Sequence, residues 1–90
     1  MSQVSAILDD NGNAHLSYYD SQNKDLMYAT NKNGSWDNYT IDSSGDVGQS
    51  SSIAIDSNGT VHFSYLDIGS DGLKYANFDN FGTAAIYEID

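Results

Sequence analysis

Side chains alternate along residues 14–20, with Ala14, Leu16 and Tyr18 on one side and His15, Ser17 and Tyr19 on the other. Residues 61–67 do the same, setting Val61, Phe63 and Tyr65 against His62, Ser64 and Leu66. A period of two places successive side chains on opposite faces of a β-strand. Neither face of either run is wholly polar, so both faces are expected to be covered. Strand-like runs of this kind cover Ser5–Asp9, Asn13–Asp20, Asp25–Asn31 and Trp36–Asp42, then Ser52–Asp56, Thr60–Asp67, Leu73–Phe78 and Thr83–Asp90. Stretches rich in Asp, Asn, Ser and Gly separate them. In "DDNG" and "DSNG" an Asp can cap the turn, and a Gly supplies the positive φ that closes a hairpin.

The second four runs repeat the first. Residues 5–30 superpose on residues 52–77 without gaps, with identities at 5/52, 9/56, 11/58, 12/59, 15/62, 17/64, 18/65, 20/67, 26/73, 28/75 and 29/76. After a one-residue insertion, Gly34 matches Gly82 and "YTID" at 39–42 matches "YEID" at 87–90. Four antiparallel strands in a unit of about 40–50 residues is the repeat of a β-propeller blade. The expected architecture is therefore all-β: a β-propeller with two four-stranded antiparallel blades per chain. Blade one spans residues 1–42, a connector residues 43–48, and blade two residues 49–90.

Two such units leave an apolar face at each end, and repeat folds generally need about three or more units. The ring is expected to close by homo-oligomerisation through head-to-tail contacts. A trimer gives six blades and is favoured. A tetramer gives eight and comes second, while a dimer would require a strongly wedged four-bladed ring. The chain opens close to an inner strand and stops on an outer one, an arrangement that a ring of copies accommodates.

Composition agrees with strands and removes several functions. The 90 residues include no Cys and no Pro, and the one Glu is Glu88. Disulfides and thiolate metal sites are thus excluded. The absence of disulfides leaves the compartment open. The formal charge is −10 with three Lys and no Arg, which repels nucleic acid and anionic membrane surfaces. No apolar run has the length of a membrane span, and no basic-then-apolar signal region opens the chain. A soluble chain is expected.

At "SIAIDSNGTVHFSYLD" (52–67) and "LKYA" (73–76) the sequence resembles a group of bacterial and archaeal repeat propellers. Their blades carry a strand, an Asp-x-Asn-Gly turn, His-x-Ser-Tyr and a Leu-x-Tyr-Ala strand. The likeness extends over essentially the whole chain. It implies the fold more firmly than any activity, since such blades serve many roles. It also implies an origin in extracellular or surface proteins with more repeats, of which this chain is an excised or engineered piece or a natural minimal form. The sialidase-type Asp-box does not fit, because Gly59 stands three residues after Asp56. Trp36-Asp37 opens a fourth strand, where a WD-repeat blade would need that pair closing its third.

Candidate chemistry falls into three groups. His15 and His62 each precede a Ser by two and an Asp by five, which suggests a Ser-His-Asp set (Ser17 and Asp20; Ser64 and Asp67). Repetition in both blades argues instead for a structural network between blades, formed by His15, Ser17, Tyr18, His62, Ser64 and Tyr65. Asp20, Asp46 and Asp67 are expected on connectors at one end of the ring. "DDNGN" at 9–13 resembles the start of a calcium loop, but the further oxygens and closing Glu are lacking. Trp36, Tyr19, Tyr39 and Phe81 could stack on sugar rings. The expected ligand contacts are therefore Trp36, Tyr19, Asp20, Asp46 and Asp67. No catalytic residue, metal or cofactor is expected, and the chain is not expected to be an enzyme. The first functional expectation is a self-assembling scaffold or interaction module whose partner is itself. A glycan-binding lectin with symmetric sites, and so a carbohydrate partner, is the alternative.

Overall fold

The computed structural model describes residues 2–79 and 82–90. It is all-β. The strands are β1 (Ser2–Leu8), β2 (Ala14–Asp20), β3 (Asp25–Thr30), β4 (Asp37–Asp42), β5 (Val47–Ile55), β6 (Val61–Asp67), β7 (Gly72–Phe78) and β8 (Ala84–Glu88). They form two four-stranded antiparallel meanders, β1-β2-β3-β4 and β5-β6-β7-β8. This pair of sheets is compatible with two propeller blades. Val47 and Gly48, placed in the connector by their sequence context, already belong to β5. Among the described residues no helix is long and apolar enough to cross a membrane.

The backbone repeats more faithfully than the side chains. Gly12 and Gly59 both sit at φ +83° and close their turns by donating to the carbonyls of Asp9 and Asp56 at 3.0 Å. Lys24 and Asp71, 47 positions apart, both adopt positive φ, and so do Gln3 and Ser50 beside bulges in β1 and β5. Bulges re-aim a strand locally, and here they recur at equivalent points although the residue types differ.

The two sheets pack face to face, and the core is their seam. The first sheet contributes Leu26, Tyr28 and Ile41, with Ile7 and Tyr39 against them; the second contributes Val47, Ile53, Val61, Phe63, Tyr65, Ala76 and Phe78, flanked by Ile55. Tyr28 meets Phe63 edge-on at 5.6 Å between ring centroids and Phe78 at 5.5 Å. Tyr39 lies 5.0 Å from Phe78. Burying one such ring contributes roughly 1.5–3 kcal/mol. At Gly48, where φ is +103°, an added Cβ would lie 2.7 Å from the Leu26 Cα. Glycine there lets β5 cross close over β3.

Within one chain, half of the covering expected for each sheet is present. Each sheet buries one face within the chain, and the two bury opposite faces. In β2 the buried residues are His15, Ser17 and Tyr19; in β6 they are Val61, Phe63, Tyr65 and Asp67. The alternation places both sets correctly on their strands. Which set is covered depends on the side from which the other sheet arrives.

Candidate functional site

Each Asp-x-Asn-Gly turn builds a three-residue relay. One Asp9 oxygen accepts from the backbone N–H groups of Asn11 and Asn13, both at 2.9 Å, and so caps the turn. The other is 2.8 Å from His15 Nε2, while His15 Nδ1 is 2.6 Å from the Tyr28 hydroxyl. A carboxylate can only accept, so Nε2 donates to Asp9, while the tyrosine hydroxyl, which can donate or accept, pairs with Nδ1. The second sheet repeats this: Asp56 caps Asn58 and Thr60, His62 Nε2 stands 2.9 Å from Asp56, and Tyr75 is 2.5 Å from His62 Nδ1. The bond from His15 is the main reason that the Asp9 carboxyl is held below the usual carboxylate range, and His62 does the same for Asp56.

This geometry corrects the expectation that His15 and His62 reach between sheets. Both nitrogens of each ring are used within its own sheet, because the turn folds its Asp back over the histidine. Nor do the Ser-His-Asp sets assemble. Ser17 Oγ pairs with Ser51 Oγ of the second sheet at 2.8 Å, and Ser64 is exposed. Asp20 caps the β2–β3 turn by accepting from Gln22, Asn23 and the Asn23 side chain. Asp67 accepts from Ser70 N–H. Hydrogen bonds from these turn residues hold both carboxyls low, led by the Asn23 N–H at Asp20 and by Ser70 at Asp67.

Of the network expected between blades, Ser17 and Tyr65 do bridge the seam, together with groups outside it. Tyr65 donates to the Asp42 carboxylate at 2.8 Å, and Lys74 Nζ donates to the same oxygen at 3.0 Å. Lys74 also donates to Ser44 Oγ, and Asp67 lies 3.8 Å from its nitrogen. Burial pushes the Asp42 carboxyl up, but bonds from Ser44, Tyr65 and Lys74 outweigh it and leave the group below its ordinary range. Burial and the Asp42 bond push the Tyr65 hydroxyl strongly up. Tyr19 donates to Asp46 at 2.7 Å, which raises the phenol; the Asp46 carbonyl accepts from Ile68 N–H at 2.8 Å. Asp42 and Lys74 escaped the sequence reading. Asp42 carried a signal, since it repeats as Asp90. Lys74 carried none, because Met27 occupies the equivalent position. Tyr18 lies half-buried on the outward side of the first sheet, away from this network.

The aromatic residues grouped as sugar contacts do not converge. Tyr19 is buried, Tyr39 is packed on Tyr28 and Phe78, and Trp36 precedes β4 with 57% of its surface exposed. Phe81 lies outside the described residues. A cleft of about 540 Å³ opens between the two Asp-x-Asn-Gly turns, lined by Asp9, Asn13, His15, Lys32, Asp56 and Asn58 among others. Among the described residues, no group of three or more His, Asp or Glu side chains could hold a metal ion. No family model and no curated protein sequence matches this chain.

Proposed function

We propose that the chain is a self-assembling β-propeller scaffold with no chemistry of its own, closed head-to-tail as a six-bladed trimer. One observation carries this reading. The face that the second sheet leaves uncovered holds the repeat equivalents of the face that the first sheet buries. His62, Ser64, Leu73, Tyr75 and Tyr87 stand where His15, Ser17, Leu26, Tyr28 and Tyr39 meet the other sheet. The outward side of the first sheet, with Leu16 and Tyr18, likewise matches the buried Phe63 and Tyr65. Each end of the sheet pair therefore presents one half of a seam already formed once inside the chain. Exposed Val4, Leu8, Leu66, Leu73 and Ile89 add apolar area that a monomer would leave in water. Light scattering across a concentration series tests this: a three-chain mass supports the trimer, a four-chain mass an eight-bladed ring, and a one-chain mass at high concentration refutes the scaffold.

A second reading, glycan binding, draws support from the polar cleft between the turns. The turn that places Trp36 in solvent also supplies Lys32 and Asn33 to that cleft. Competable binding on a glycan array, lost in Trp36→Ala, supports this reading; silence favours the scaffold.

A further inference from the structure

The internal seam also predicts, residue by residue, how a second copy would dock, and this inference rests on the ring reading above. Moving each seam contact on by one repeat turns a contact inside the chain into one between copies. Tyr65 on Asp42 becomes Tyr18 of one copy on Asp90 of the preceding copy. Lys74 beside Asp42 becomes Met27 beside Asp90. Ser17 against Ser51 becomes Ser64 against Val4. Tyr28 on Phe63 becomes Tyr75 on Leu16. Asp90 is placed for this role: its backbone pairs with Leu73, as that of Asp42 pairs with Leu26.

We propose that the outward face of the second sheet is a docking surface for the outward face of the first sheet of a second copy. The Tyr18 hydroxyl donates to the neighbour's Asp90 carboxylate, and no lysine joins the junction. The chemistry of the two seams then differs. The seam within the chain pairs Lys74 with Asp42 and Asp67. The seam between copies gathers the equivalent carboxylates, Asp90 and Asp20, around Met27. It is held by apolar contact and opposed by like charge, in copies that each carry −10. Raised salt should therefore strengthen assembly by screening that repulsion.

Two experiments on the full chain test the docking. Leu16→Asp spoils one face and Leu73→Asp the other. Each variant alone should stay unassembled, and an equimolar mixture should give a 1:1 complex through the two intact faces. Homodimers of either single variant, or wild-type assembly by either, would overturn the head-to-tail match. So would a mixture that stays unassociated while the wild type assembles. Should either variant fail to fold, the second experiment decides. Met27→Lys supplies the missing cation and should lower the concentration at which assemblies dissociate by about tenfold, an effect of the size of one charged hydrogen bond. Ser35→Lys, with the same charge change on the exposed β3–β4 turn at the other end of the sheet, should give clearly less, and Asp90→Asn should cancel the Met27→Lys gain. Equal gains from both lysines, or a gain that survives Asp90→Asn, would overturn the proposal. A wild type that is a single chain at every concentration refutes the ring itself and is told apart by mass alone.

Discussion

The first sheet covers the face that the second leaves bare. His15 has 1% of its side chain exposed and His62 has 33%, although both sit in the same Asp-His-Tyr relay with nearly the same distances. Ile41 is 5% exposed and its equivalent Ile89 is 59%. Equivalent residues with equivalent local bonds thus differ only in whether another sheet lies over them. The local sequence builds the relay and the strand; burial is decided one level higher, by the neighbour. The relay of the second sheet is exposed because no other sheet lies over it.

The strongest way to break the comparison is Phe63→Asp. It places a charge in the centre of the seam and should cost at least about 4 kcal/mol, unfolding the chain and abolishing assembly together. The matched substitution, Leu16→Asp, should remove assembly and cost the chain's own fold less than half as much. Thermal melts by circular dichroism, read beside mass, check both. Next comes Asp42→Asn, which leaves the buried Lys74 ammonium without its closest carboxylate and should cost about 3 kcal/mol in chemical denaturation. Asp90→Asn, its repeat equivalent, should cost the isolated chain little, because no lysine faces it.

The relay itself gives a finer comparison. His15→Ala strands a buried tyrosine hydroxyl and should cost about 2 kcal/mol, against less than about 1 kcal/mol for His62→Ala in the dissociated chain. If assembly covers His62, the two costs should converge above the assembly concentration; denaturation on both sides of that concentration measures the gap. Smallest and most gradual is the response to acid. The carboxyls of Asp9, Asp20, Asp42, Asp56 and Asp67 titrate lower in the folded chain than when unfolded. Their contribution is therefore present above the unfolded carboxylate value near pH 4 and fades as pH falls through the folded values. Asp25, raised chiefly by burial, acts in the opposite sense. Stability measured from pH 6 to pH 2 should decline, and Asp9→Asn should flatten part of that decline while lowering stability at neutral pH.

Much of the fold was legible in the sequence, because alternation, turn residues and the repeat all pointed to the same eight strands. The relay was half legible. Asp9, His15 and Tyr28 are all among the repeated identities, yet the expectation that His15 bonds across the seam fails because strand alternation gives a side chain's face and not its reach. A turn six residues away, folded back by its own Asp cap, was the nearer partner. Lys74 and Ser51 were not legible, since Met27 and Val4 break the repeat at those points and no local pattern marks either residue. The covered face was illegible for a plainer reason: both faces of every strand are fit to be covered.

The most direct test of the account is the mass of the folded assembly in solution, by native mass spectrometry or light scattering, over a wide concentration range. The account predicts three chains in a single closed species that gives way to smaller ones only on dilution. A well-folded single chain of 9.8 kDa that persists at high concentration would contradict it.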